Sequence, residues 1–217
     1  MPAWVGPYVS YSLLGLEATL LMTLWSMLGS LVVGFALGPL LAVRGPVRAI
    51  VRGYVELWRG LPVLVSIFVI YFGLPVVGIF VDAFASSVVA LVLWGSANVA
   101  EIVRGAVQSI PASQFEAAAA LGLNRWQRMT YVIMPQAIRR MIPSIVGIVT
   151  TLVQATALAS AIGVLELTES ASRSIERVRD TTGDSHALLI MGIALVIYFL
   201  ICFPLTQLSR RLEARLI

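Results

Sequence analysis

Five apolar runs, at residues 19–43, 61–80, 83–103, 141–164 and 187–205, constrain this chain more than any other feature. Each is close to the roughly 20 apolar residues that a helix needs to cross a bilayer. The expectation is an all-α integral membrane protein: one transmembrane domain over residues 1–217 with five spans. Composition supports it. The chain is 59% hydrophobic and 12% charged, where soluble domains carry about a quarter charged residues. Ahead of the first run, Trp4, Tyr8 and Tyr11 read as an interfacial aromatic cluster on a retained terminus without signal-peptide features. The stretch up to Thr19 is expected along the interface, with Glu17 facing water. Gly34 and Gly38 form a GxxxG pair; it either lets another helix approach closely or reflects the abundance of glycine in membrane helices.

The charges orient the spans. All fifteen basic residues are arginine. Without lysine the chain cannot carry a P-loop, so energy for any active transport must come from another subunit or an ion gradient. Arg44, Arg48, Arg52, Arg59, Arg104, Arg125, Arg128, Arg139, Arg140, Arg210, Arg211 and Arg215 fall on one side of the five spans, and Arg173, Arg177 and Arg179 on the other. The positive-inside rule puts the larger group in the cytoplasm, with the N-terminus outside and the C-terminus inside. Arginines scattered between spans argue against nucleic acid as a partner. Cys202 is the single cysteine and His186 the single histidine, which leaves no intrachain disulfide, no metal cluster and no visible catalytic set.

Residues 110–140 form the polar interruption between spans three and four. Ser113 and Glu116 fit the capping box S-x-x-E, residues 117–120 are four alanines, and Gly122 supplies a stop. The result is a helix of roughly two turns, too short to stand alone in water. Elsewhere, Glu56 and Arg59 at the entrance to span two, and Glu101 and Arg104 at the end of span three, are spaced for helical ion pairs that are structural or gating. The basic stretch from Arg44 to Arg52 and the polar stretch 166–186 read as loops. Candidates for a solute path by depth are Tyr71, Trp94, Asn98, Thr151, Gln154 and Thr156. Thr and Ser hydroxyls usually bond back to their own helix, so Asn98 and Gln154 are expected to be the freer groups.

Glu116, Ala117, Ala118, three residues, Gly122, nine residues, then Val132, Ile133, Met134 and Pro135 resembles the EAA loop, EAA-x3-G-x9-I-x-L-P, of ATP-binding-cassette (ABC) importer permeases. Val132 and Met134 depart from the pattern conservatively. Residues 54–75 (YVELWRGLPVLVSIFVIYFGLP), 100–111 (AEIVRGAVQSIP), 135–143 (PQAIRRMIP) and the SRRLEARL ending resemble the polar amino acid branch of that family.

The resemblance implies a permease in the bacterial inner membrane with no ATPase site of its own. Its partners would be an ABC ATPase subunit dimer, a second permease subunit, membrane lipid and an external solute-binding protein. ATP and Mg would sit on the ATPase. Ser113, Phe115, Glu116, Ala117, Ala118, Leu121, Gly122 and Arg125 would form the ATPase-coupling helix, with Phe115 and Leu121 as apolar anchors and Arg125 and Arg128 as a positive rim. For Glu116 the cap and the partner contact are both open. Relatives often carry a charge within residues 154–158 and this chain has none. That favours a heterodimer over a homodimer, with the other subunit meeting the solute's charges. The expected cargo is a polar amino acid, acidic or amide, the lean resting on the ERVRD wording at 176–180. A compatible solute or an opine is the nearest competitor. A gradient-driven secondary transporter is the alternative from another class, but neither internal repeats nor a mid-span acid is visible.

Overall fold

The computed structural model describes residues 5–42 and 45–216; Trp4 and Arg44 lie outside the described residues. Every regular element among them is helical. α1 (Val5–Leu37) continues into a 3-10 segment (Gly38–Ala42), and the amphipathic α2 (Pro46–Gly60) is the next element in the chain. α3 (Val63–Gly73) and a 3-10 extension (Leu74–Val77) lead to α4 (Ala83–Gln108). After α5 (Ala112–Ala120), a helical run starts with the single turn α6 (Arg125–Gln127) and a π segment (Arg128–Ile133). It becomes α7 (Met134–Ala155) and ends in a 3-10 stretch (Thr156–Ile162). α8 (Leu167–Thr182) and α9 (Ala187–Leu216) complete the chain. Among the described residues, four helices are long and apolar enough to cross a membrane, and there are five spans if the bent pair α2 and α3 counts as one.

Several expected boundaries move. α1 is one unbroken helix: Thr19 is fully buried, and its hydroxyl accepts the Leu167 amide at 3.2 Å. The first span is Tyr8–Ala42, about 52 Å at 1.5 Å per residue. The excess over the ~30 Å hydrocarbon layer carries its first turns out to meet α8, where the Arg177 guanidinium stacks 4.1 Å above the Tyr11 ring. Span two is shorter than expected. Val63–Val77 reaches only about 24 Å, because Pro62 and the preceding Leu61 break the helix and turn α2 away by 104°.

Both stretches read as loops are helices. α2 places Val51, Val55 and Trp58 on one face against α4, and α8 buries Leu167, Ala171, Ser174 and Val178 at helical spacing. Periodicity prevails over charge in both. The expected loop 110–140 is also helical from Arg125 onward, and α4 runs five residues past the expected end at 103.

The bundle is built on α1 against α4. Gly34 and Gly38 are buried and face Val99 and Val103: a β-carbon at Gly34 would lie 2.5 Å from the Val99 β-carbon and 2.9 Å from the Ser96 carbonyl oxygen. The GxxxG pair is therefore a true close approach. α7 packs between α4 and α9, and the Ser209 hydroxyl donates to the Pro143 carbonyl at 2.8 Å. The core that carries α5 consists of Val103, Ala106, Ile110, Ile133, Ala137 and Met141.

Candidate functional site

α5 sits where α4 turns back toward α7, and its start differs from the expected capping box. Pro111 occupies the N-cap position with ψ 142°, and the Gln114 amide donates to its carbonyl at 3.0 Å. A proline excludes helix from the residue before it and is well suited to begin one. The start is thus set two residues earlier than Ser113, which becomes an exposed residue of the first turn. The reading of Ser113 and Glu116 as reciprocal caps is overturned. The capping box lies instead at Asn124 and Gln127, each accepting the other's amide at 2.9 Å. That N-x-x-Q signal, just past the Gly122 stop, was missed.

The other end is as expected. Gly122 adopts φ +76°, a conformation that costs a side-chain-bearing residue about 1–2 kcal/mol. Its amide donates to the Ala119 carbonyl at 3.0 Å, and the Leu123 amide to Ala118 at 3.2 Å, the two bonds of a Schellman stop.

The helix has an inner and an outer face. Ala118 is buried and Phe115 packs into the Val103, Ile133 and Met141 core. Phe115 therefore anchors α5 to its own bundle, against the expectation of an outward anchor, because the packing of α5 on the π segment and the buried core beneath it fixes which face turns in. Ser113, Glu116, Ala117, Ala120 and Leu121 share the exposed stripe at spacings of three and four. Leu121 is 79% exposed, and Trp126, one turn of chain later, is 76% exposed beside the exposed Arg125. Trp126 went unremarked in the sequence although it is a large aromatic in a polar stretch.

Two arginines fix the ends of α5. Arg140 donates to the Ser109 carbonyl at 2.7 Å and to its hydroxyl at 3.1 Å, clamping the turn before it. Arg128 donates to the Leu123 carbonyl at 2.6 Å, holding the turn after it. Arg128 therefore does not form an outer rim. The π segment follows directly and carries the fully buried Ile133. Such segments are uncommon and cluster at functional junctions. Here one joins the exposed element to a long helix of the bundle.

The paired charges resolve differently. Glu101 and Arg104 pair as expected: Arg104 Nε donates to Glu101 Oε2 at 2.9 Å, and its terminal nitrogen bonds to Oε1. Glu56 does not pair with Arg59. It takes Arg52, one turn back on α2, at 2.7 Å, and Arg59 instead faces Glu101 across the helices at 4.0 Å. The expectation read the stretch through Arg52 as a loop; because α2 starts at Pro46, Arg52 is available as the i−4 partner.

The candidate path residues do not assemble into one constellation. Asn98 donates to the Trp94 carbonyl on its own helix at 2.9 Å, so it is not the free group expected. Thr156 is fully buried with its hydroxyl on Val153. Thr151 bonds to Gly147 at 3.2 Å, and Thr151 and Gln154 are exposed on the outside of this subunit. Trp94 is half-buried against the core around Leu152, and Tyr71 meets Phe72 edge-on at 4.9 Å.

A further group drew no attention as sequence. Glu166, read only as one of several acids in a loop, is completely buried at the head of α8. Its carboxylate accepts the amides of Thr168 and Glu169 and the Tyr198 hydroxyl, each at 2.8 Å. Glutamate is not a preferred cap and its partner is 32 residues distant, so no local signal existed. Burial raises the Glu166 carboxyl above the ordinary glutamate range, against the pull of those hydrogen bonds. The folded state therefore holds this proton to higher pH than the unfolded chain does, and the stability that this contributes is lost as pH climbs from the ordinary glutamate range through the raised value. Glu166→Gln is expected to flatten that pH dependence of thermal unfolding; its single carbonyl oxygen can accept only one of the two amides that the carboxylate accepts on separate oxygens, so at neutral pH it should melt between the parent and Glu166→Ala. Glu166→Ala, which loses the cap, should melt lower by the equivalent of about 1 kcal/mol. A Gln variant as unstable as the Ala variant at neutral pH would contradict this account.

Comparison with known proteins decides the class of the whole assembly. Residues 30–217 match the family described as the binding-protein-dependent transport system inner membrane component. The chain belongs to this family. The glutamine transport system permease protein of Escherichia coli (strain K12) is 34% identical over 215 residues, 98% of this chain and 95% of the relative. The L-cystine transport system permease protein of Bacillus subtilis (strain 168) is 33% identical, with 93% and 85% covered. Among solved structures, an amino acid ABC transporter crystallised with histidines superposes with a TM-score of 0.87 at 30% identity, covering 96% of this chain and 95% of that one. An inward-facing methionine ABC transporter, at 21% identity and TM-score 0.76, shares the fold. The permease is thus a multi-pass membrane subunit of an amino acid ABC importer. It is not itself the ATPase, and it works with an ATPase and a binding protein.

Proposed function

We propose that α5 is the coupling helix on which an ATPase subunit docks, and that the permease carries a polar amino acid delivered by an external binding protein. The supporting observation is the exposed stripe of α5 that ends in Leu121, with the exposed Trp126 of α6 beside it, on a helix clamped at both ends. Small residues at Ala117 and Ala120 allow close approach, and Leu121 with Trp126 supplies apolar area beyond the needs of the fold. ATP and Mg belong to the partner subunit. Closure of the ATPase dimer would displace α5, and the clamps at Ser109 and Leu123 would pass that displacement to α4 and, through the π segment, to α7 as a rigid-body switch. The distribution of arginine supports an orientation with α5 and the C-terminus in the cytoplasm and the N-terminus outside.

For the cargo, the glutamine and cystine names of relatives favour a polar amino acid, and we place amide or acidic amino acids first. No charged residue occurs at 154–158, and the exposed Thr151 and Gln154 leave a face for a second permease subunit. A heterodimer in which the other subunit meets the solute's charges accounts for both. Reconstituted complex with its cognate binding protein should show ATPase stimulation by one such amino acid; stimulation only by a compatible solute or an opine would overturn the assignment.

Glu116 contributes no cap, so its charge is left for the partner. Glu116→Gln is expected to leave thermal unfolding unchanged and to lower coupled ATPase activity about threefold, the scale of one partly exposed ion pair. Full activity in that variant would remove the charge from the interface.

A further inference from the structure

Between α2, the 3-10 segment after α1 and the last turns of α4 lies a cavity of about 200 Å3, far larger than a single water needs. Arg48, Arg52, Arg59 and Arg104 line it together with Glu56 and Glu101, a surplus of two positive charges (four minus two). Both carboxylates are already engaged. Glu101 is held by both bonds from Arg104 and approached by Arg59, and Glu56 by Arg52. Arg48 is half-buried and has no ion pair among the described residues. Arg104 is half-buried like Arg48, and Arg52 and Arg59 stand more exposed at the rim; guanidinium groups gathered in excess of their carboxylates call for an anion, and their planar forks match the oxygens of a phosphate.

The same helix fixes the depth of the cavity. α2 turns 104° away from α3, so it lies along the bilayer surface when α3 crosses. Val51, Val55 and Trp58 bind it to α4, while Val47, Ile50 and Leu57 on a neighbouring stripe stay exposed, Ile50 by 74%. At 100° per residue, Ile50 and Leu57 face opposite to Arg48, Arg52 and Arg59. A helix with this division settles at the boundary of acyl chains and headgroups, its apolar stripe down and its cations up. The arginine cavity is then at the level of lipid phosphates, where basic pockets beside spans hold anionic headgroups. We infer that this cavity is a binding site for a phosphate group, on the α5 side of the bundle, supplied by an anionic phospholipid or by free phosphate. The inference stands independently of what docks on α5.

The test uses the purified full chain in phosphatidylcholine vesicles, read by thermal unfolding. One arm adds phosphatidylglycerol to the vesicles and the other adds inorganic phosphate to plain vesicles. The wild type should gain stability in at least one arm, since a ligand of the folded state raises its melting temperature. The arm that responds names the source of the phosphate. Arg48→Gln should melt like the wild type in plain vesicles and bind the effective ligand about tenfold more weakly. Arg59→Gln provides the same comparison should Arg48→Gln not fold. Arg211→Gln removes an exposed charge on the C-terminal tail and should keep the full gain. The inference is overturned if neither arm stabilises the wild type, if Arg48→Gln and Arg59→Gln gain as much as it does, or if Arg211→Gln loses as much as they do.

Discussion

Leu121→Asp should uncouple the permease without unfolding it. The side chain is 79% exposed and lies outside the α5 core contacts, so thermal unfolding of the isolated chain should be unchanged. In the complex the effect should be large. A Leu fully buried at an interface contributes about 1.5–3 kcal/mol, and an unpaired carboxylate in its place adds a desolvation penalty. The sum corresponds to a loss of ATPase affinity of more than about tenfold, with transport falling in proportion. Trp126→Asp should act in the same direction, as the second large apolar group exposed beside the stripe. Phe115→Asp is the informative contrast: its ring packs against the buried cluster that includes Val103, Ile133 and Met141, so it should lower the stability of the isolated chain as well. Measuring ATPase co-purification and thermal unfolding on all three variants separates the two faces of α5.

Gly34→Leu is expected to damage the fold itself. Its β-carbon would start 2.5 Å from that of Val99 and 2.9 Å from the Ser96 carbonyl oxygen, and neither atom belongs to the flexible end of a side chain. α1 and α4 must separate, at a cost of about 3 kcal/mol or more, which for a chain of this size corresponds to roughly 6–12 °C in melting temperature. Gly53→Ala is the matched control. Gly53 lies inside α2 with nothing within 4 Å of a built β-carbon, so the change should be neutral or stabilising by up to about 1 kcal/mol. Equal melting of the two variants would show that the α1–α4 seam is not the tight contact described.

What sequence could reveal here depended on whether the signal was local. The long spans, the Gly122 stop and the Glu101–Arg104 pair each depend on neighbours within a few residues, and each is found. The family resemblance rested on a spacing pattern and holds across the chain. Misreadings came from two sources. In α2 and α8 the density of charge hid a helical apolar stripe, although Val51, Val55 and Trp58 carry the spacing plainly. At α5 the capping-box letters at Ser113 and Glu116 were credited over Pro111, which sets the start. The remaining features are tertiary. Which way Phe115 points, which arginine faces Glu101 and why Glu166 is buried under Tyr198 all follow from packing between elements far apart in the chain. Asn98 found an acceptor on its own helix, which its candidacy for the solute path had discounted.

Site-directed cross-linking is the most direct test that α5 docks the ATPase. Cys202, the single cysteine, is buried, so Cys202→Ser should provide a background in which one new thiol reports one position. Ala120→Cys places it on the exposed stripe of α5, and Arg179→Cys on the exposed face of α8. In membranes holding the cognate ATPase and permease subunits, a thiol-reactive photo-cross-linker should join Ala120→Cys to the ATPase and leave Arg179→Cys unlinked to it. An ATPase adduct from position 179, or none from position 120 while the complex remains assembled, would contradict the assignment of α5.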